Sequence, residues 1–267
     1  MKTTGNTILI TGGGSGVGRG LAEAFHALGN QVIVTGRRRE MLDQTLAANP
    51  GMQADVLDIR DGADIRRTAA RLVAQFPALN AVIHNAGIMR TEDVREPGTV
   101  DAEETISTNL LGPIRLTAAL LPHLLDKPDA TIMTVSSGLA FVPGAVTPTY
   151  CATKAAIHSY TQSLRYQLSD TGVQVMELIP PYVQTELTGP AHASDPNAMP
   201  LKDFISEVMG IIQNSPEATE ICVERVKPLR SAVTGADYDA FFKRFNDARS
   251  GPTVARWKGA AGRGKWR

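Results

Sequence analysis

Tyr150 and Lys154 stand four residues apart in Tyr150-Cys151-Ala152-Thr153-Lys154, with Ser137 thirteen residues before the tyrosine and Asn109 further upstream. A helix carries residues four apart on one face, so the lysine ammonium can lie beside the phenol and stabilise its anion. A tyrosine that exchanges its proton near neutral pH is a general acid or base. A solvated helix face also accounts for Y-x-x-x-K alone; a second segment, near the other end of the chain, decides between the two readings.

That segment is Ile8-Leu9-Ile10-Thr11-Gly12-Gly13-Gly14-Ser15-Gly16-Val17-Gly18, an apolar strand-like run that feeds a glycine loop and then the helical stretch from Arg19. Glycines let a backbone approach a pyrophosphate, and the helix that follows aims its first N–H groups and the positive end of its dipole at the anion. Strand, loop and helix in this order are the context a dinucleotide site needs.

The two sites in this order resemble the short-chain dehydrogenase/reductase family, single-domain branch, over roughly residues 5 to 245. Thr11, Gly12, Gly16 and Gly18 match its T-G-x-x-x-G-x-G; Asn85, Ala86 and Gly87 match its N-A-G; Asn109, Ser137, Tyr150 and Lys154 match its catalytic tetrad. Glu177 to Leu187, followed by Val223 to Lys227, is similar to the DltE-like subgroup. The resemblance implies an oxidoreductase that interconverts a carbonyl compound and its alcohol. In that scheme Tyr150 transfers the proton, Ser137 fixes the carbonyl oxygen, Lys154 lowers the phenol pKa and holds the nicotinamide ribose, and Asn109 anchors a water. The cofactor is expected on Gly12, Gly14, Ser15, Gly16, Val17 and Gly18. Asn85, Ala86 and Gly87 form its floor, Asp55 and Val56 lie at the adenine, and Pro180, Val183 and Thr185 lie at the carboxamide. Asp55 can also be read as a turn or cap acid, and His84 as a satisfied core histidine.

The second strand ends at Gly36, where a carboxylate would bind the ribose of NAD. Arg37, Arg38 and Arg39 follow at a helix start, where positive charge opposes the dipole unless it faces an anion. A 2′-phosphate supplies one, so NADP(H) is the preferred cofactor, through Arg37 and Arg38, with NAD(H) still possible. Ser15, where some relatives carry a second basic residue, weakens that preference.

The 267 residues, 43% hydrophobic, suit one domain. Strand-length apolar runs near 7–11, 31–35, 51–54, 80–84, 130–136 and 173–179 alternate with helical segments near 17–28, 38–48, 62–75, 101–125, 149–169, 201–213 and 217–232. This is the pattern of an α/β, Rossmann-type, doubly wound parallel sheet flanked by helices. The usual last strand is not legible after residue 217, so the sheet is expected to lack it. Residues 186–203 read as a mobile cover, and Leu139, Phe141, Val142, Val146, Tyr182 and Leu187 as pocket walls for an apolar or mixed carbonyl compound. Arg90 is the one cation placed to meet an anionic group.

The domain is drawn at 1–249, with 250–267 a basic, flexible tail. From Arg249 onward there are six basic residues and no acidic one, in a chain whose whole length balances at 27 basic to 27 acidic. Contact of this tail with nucleic acid or a membrane is disfavoured against a solvated extension or one docked on a partner subunit. The tail nevertheless leaves a rival reading, an NADP(H)-binding regulatory or interaction protein. The absence of a leader or an apolar span of roughly 20 residues leads us to expect a soluble, cytoplasmic protein. Two cysteines, Cys151 and Cys222, imply no disulfide or metal framework. A homo-dimer or homo-tetramer is expected from the resemblance, through the helices near 101–125 and 149–169.

Overall fold

A computed structural model describes residues 1–249; the expectations for 250–267 lie outside the described residues. Seven strands form one parallel sheet: β1 (Thr7–Thr11), β2 (Gln31–Gly36), β3 (Gln53–Val56), β4 (Leu79–His84), β5 (Ala130–Val135), β6 (Val173–Ile179) and β7 (Glu220–Cys222), in the order β3-β2-β1-β4-β5-β6-β7. Between them run α1 (Gly16–Ala27), α2 (Arg39–Ala48), α3 (Gly62–Gln75), α4 (Val100–Ile106), α5 (Gly112–Leu125), α6 (Pro148–Gln167), α7 (Pro190–Ala193) and α8 (Leu201–Asn214), with α9 (Lys227–Ala232) and α10 (Tyr238–Ala248) closing the described chain.

Alternate residues of the central strands enter two separate cores, because successive side chains point to opposite faces. Ile8, Ile10, Val32 and Val34 pack with Leu21 and Phe25 of α1, Leu42 of α2 and Phe204 and Val208 of α8. Leu9, Ile33 and Val82 pack with Leu72 of α3, Leu116 and Leu120 of α5 and Leu164 of α6 on the other face. Both faces are covered, so the central strands read as continuous apolar runs. Among the described residues no helix is long and apolar enough to cross a membrane.

Two departures from expectation concern backbone that the sequence disguises. The seventh strand exists: Ile221, fully buried, pairs with Leu178, and the helix expected over 217–232 is a strand, a 3₁₀ turn (Glu224–Val226) and α9. Arg230 folds back to hold Glu220 through Nε and Nη2 at 2.8 and 2.9 Å, fastening α9 to the strand. The single helix expected over 101–125 is interrupted by a π-helical turn at Ser107–Leu111. Pro113 has no N–H to offer the Asn109 carbonyl, its α-helical partner, so the ladder widens there.

Residues 186–203, expected to be a mobile cover, are tied down at their base. Gln184 N donates to Met199 O, and Met199 N to Tyr182 O, each at 2.8 Å, and Tyr182 Oη donates to Asp195 Oδ2 at 2.9 Å.

Candidate active site

The carboxyl ends of the strands open into one cavity of about 480 Å³. Gly12, Gly14, Ser15, Gly16 and Val17 line one end of it, and Ser137, Tyr150 and Lys154 the other, with Asn85, Ala86 and Gly87 between. Gly12 and Gly16 hold φ of +71° and +53°, a region that favours glycine. Gly18 lies behind the wall, where a Cβ would stand 2.3 Å from Asn85 Nδ2 and 2.4 Å from Gly12 O. Thr11 Oγ1 accepts from the Asn85 and Ala86 N–H groups at 3.1 and 3.0 Å, and Asn85 Nδ2 donates to Thr11 O at 3.0 Å. The loop after β1 and the floor after β4 are thus one rigid piece.

Ser15 caps α1 without a side-chain bond to the first turn; its Oγ instead accepts from Arg38 Nη2 at 3.3 Å. The first N–H groups of α1 therefore keep their donors for an anion. Arg37 and Arg38 line the same end of the cavity, whereas Arg39 turns away into an ion pair with Asp43.

Asp55 and Val56 do not reach this wall. Asp55 accepts from Arg71, Val56 is 41% exposed, and Leu57 and Ile59 face the cavity instead. The Asp–apolar pattern recurs at Asp58-Ile59, three residues later, and Asp58, its carboxyl held low mainly by Arg60, also feels the charge of Arg37.

At the other end, α6 presents Tyr150 and Lys154 on one face, with Nζ 5.6 Å from the phenol ring centre. Both are buried, at 7% and 5% exposure. Lys154 Nζ donates to Val135 O at 2.7 Å. Burial brings its pKa down to about 8, opposed by the charge of Glu177. Burial pushes the Tyr150 phenol above its ordinary value, with a hydrogen bond from Ser137 pulling the other way. The lowering expected from Lys154 is not among the influences on the phenol; desolvation dominates, and the phenol holds its proton. Ser137 Oγ also accepts from Leu139 N at 3.1 Å, which fixes the hydroxyl at the end of β5.

Asn109 is buried behind the floor and off the cavity wall. Its Oδ1 accepts from Ile88 N and its Nδ2 donates to Ile88 O, both at 2.9 Å, with a further bond to Thr153 Oγ1 at 3.2 Å. The side chain clamps the floor to α6.

Pro180, Val183 and Thr185 line the cavity, and Thr185 Cγ2 closes on Gly16, where a Cβ would lie 3.4 Å away. Of the expected walls, Leu139, Tyr182 and Leu187 face the cavity, whereas Phe141 and Val142 are core residues and Val146 does not contribute. Leu229, His192 and Arg249 also face it and were not anticipated. His84 is a core histidine, bonded through Nε2 to Thr117 Oγ1 at 2.9 Å and kept neutral by burial, with its pKa down to about 4. Cys151 is likewise buried, its thiol pushed up by desolvation.

Residues 6–196 match the family model described as short chain dehydrogenase. The chain is 40% identical over 253 residues to an uncharacterized oxidoreductase, DltE, of Bacillus subtilis, covering 92% of this chain and 98% of that protein. It is 32% identical over 250 residues to the sulfoacetaldehyde reductase of Chromohalobacter salexigens, covering 87% and 98%. Among solved structures, the closed form of serine dehydrogenase complexed with NADP⁺ superposes with a TM-score of 0.71 at 27% identity, covering 76% of this chain and 88% of that one. A short-chain dehydrogenase/reductase from Burkholderia phymatum in complex with NAD gives 0.77 at 20% identity, covering 91% and 96%, a likeness of fold alone. With the sheet, the glycine loop and the Tyr150–Lys154 pair in place, these matches make the chain a member of the short-chain dehydrogenase/reductase family, NAD(P)-dependent oxidoreductases, close to the DltE subgroup.

Proposed function

We propose that the protein is an NADP(H)-dependent oxidoreductase that interconverts a small carbonyl compound and its alcohol, with Tyr150 as general acid and base. The observation that carries this reading is the opening of one cavity onto both the glycine loop and the Ser137–Tyr150–Lys154 cluster. A dinucleotide fits the residues present: close backbone approach at Gly12 to Gly18, free donors at the start of α1, and Arg37 and Arg38 where β2 ends. The two arginines favour a 2′-phosphate, and the absence of an acid at Gly36 disfavours the unphosphorylated ribose.

NADPH, when bound, supplies the hydride that adds to the carbonyl carbon. Ser137 donates to the carbonyl oxygen and holds it beside the phenol. Tyr150 gives that oxygen its proton, completing the alcohol, and the phenolate left behind is stabilised by the neighbouring Lys154 charge. Oxidation uses the same groups in reverse. The raised phenol pKa keeps the acid loaded for the reductive direction.

The names of two relatives, a sulfoacetaldehyde reductase and a serine dehydrogenase, support a small polar substrate. We place the protein in the cytoplasm as a homo-oligomer joined through α4–α5 and α6, where Tyr166 and Leu125 stand 83% and 45% exposed. Light scattering would test the assembly. The regulatory reading draws on residues 250–267, which lie outside the described residues.

Steady-state NADPH oxidation against a carbonyl panel tests the chemistry. Tyr150→Phe should lose turnover by about 10²-fold or more while calorimetry still detects cofactor binding. Turnover equal to that of the native protein would overturn the assignment of Tyr150.

A further inference from the structure

The charge of the cavity wall is lopsided. Arg37, Arg38, Arg90, Lys154 and Arg249 face it, and Glu186 is the one carboxylate among the described lining residues. Arg37 and Arg38 lie at the glycine-loop end, where a phosphorylated cofactor answers them, and Lys154 stands beside Tyr150. Arg90 has an acid of its own, Asp101, at 3.8 Å. Arg249 has none: among the described residues no carboxylate lies within ion-pair reach of it, and the nearby Asp195 is engaged by Tyr182 Oη and by the Asn197 N–H and side-chain amide.

Arg249 does not hang at a fraying end. Asn246, one turn earlier, accepts from Ala145 N at 2.6 Å and donates from Nδ2 to Pro143 O at 3.1 Å; Tyr238 Oη donates to Phe141 O at 3.2 Å. These bonds dock α10 on the loop that leads into α6 and so on the mouth of the site. The Arg249 guanidinium then lies over two rings, 5.5 Å from the centre of Tyr182 and 4.2 Å from that of Phe245. The aromatic faces orient the planar group and strip part of its hydration, which pushes its pKa below the ordinary arginine value. A partly desolvated cation with no acid, facing a cavity through a planar fork, is built to receive an oxyanion.

We propose that Arg249 seats an anionic group of the substrate, so that the compounds reduced here are carbonyl compounds carrying a carboxylate or a sulfonate. This rests on the reading of the cavity as a carbonyl-reducing site and moves the anion contact from Arg90, where the sequence put it, to Arg249. Arg249 acts on specificity: it holds the far end of the molecule while Ser137 and Tyr150 hold the carbonyl.

The test compares succinic semialdehyde, an aldehyde sulfonate of similar length and the neutral methyl ester of succinic semialdehyde, with NADPH and the full chain. The native protein should favour the anions in kcat/KM, and Arg249→Gln should erase about 10- to 100-fold of that ratio through KM, the range for losing a hydrogen bond to a charged partner. Arg249→Lys should recover part of it. Preference for one anion over the other distinguishes carboxylate from sulfonate. An anion-to-ester ratio near one in the native protein, or a ratio untouched by Arg249→Gln, would overturn the proposal. Calorimetry of succinate and of ethanesulfonate against the NADP⁺-loaded protein separates this inference from the reaction itself. Saturable binding lost in Arg249→Gln supports the anion seat even where no aldehyde is reduced, and no binding to the native protein refutes it.

Discussion

Lys154→Met is expected to abolish reduction and yet make the fold more stable near neutral pH. Burial lowers the Lys154 ammonium from 10.5 to about 8, and the gap corresponds to about 3 kcal/mol held against the folded protein. Below pH 8 folded and unfolded chains both carry the charge, so the whole cost is present. As pH rises from about 8 towards 10.5 the folded lysine loses its proton first, the unfolded chain binds more protons, and native stability climbs. Methionine removes the charge and with it this pH dependence. It also forfeits the 2.7 Å bond to Val135 O, a loss of about 1 kcal/mol, which leaves a net gain of about 2 kcal/mol at neutral pH. Urea unfolding of both proteins at neutral pH and near pH 9.5 reads the effect: the advantage of the methionine variant should shrink by about 2 kcal/mol across that interval. A difference between the two proteins that stays constant with pH would refute the argument that a desolvated ammonium is stored beside Tyr150.

Three further outcomes follow from the same geometry. Gly18→Ala drives a Cβ into Asn85 Nδ2 and Gly12 O and should cost about 1–3 kcal/mol and weaken cofactor binding; an unchanged melting temperature and cofactor affinity would show that the loop yields. Arg37→Ala should reduce NADPH affinity about tenfold or more while moving NADH little, read by calorimetry with the two cofactors side by side. Arg230→Ala breaks the two-point hold on Glu220 between side chains 30% and 24% exposed; a loss of about 1 kcal/mol with faster hydrogen exchange at Ile221 is expected, and unaltered exchange would mean that pairing with β6 alone secures the strand.

The parts of the fold legible in the sequence are those whose signal is local. The runs at Ile8–Ile10 and Val32–Val34 are apolar at every position because both sheet faces are covered, and Tyr150 and Lys154 share a face because helical spacing requires it. What escaped depends on distant partners. Glu220-Ile221-Cys222 is too short to show a period and becomes a strand because Leu178 lies beside it and Arg230 holds its end. The π turn at Asn109 was signalled by Pro113, which a helical period over 101–125 conceals. Asp55 and Asp58 are alike in sequence, and only the position of β3 decides that Ile59, not Val56, faces the cavity. Arg249 closes the domain drawn at 1–249, and its neighbours along the chain give no sign of the cavity; Asn246 and Tyr238, through bonds to residues about a hundred positions away, bring it to the site.

The most direct test of the central claim is hydride transfer itself. With NADPH deuterated at the transferring position and a carbonyl substrate from the panel, mass spectrometry of the alcohol should find one deuterium on the former carbonyl carbon for the native protein, and no labelled product above background for Tyr150→Phe under conditions where calorimetry shows the cofactor still bound. Labelled alcohol formed equally fast by the variant, or alcohol formed without the label, would contradict the account.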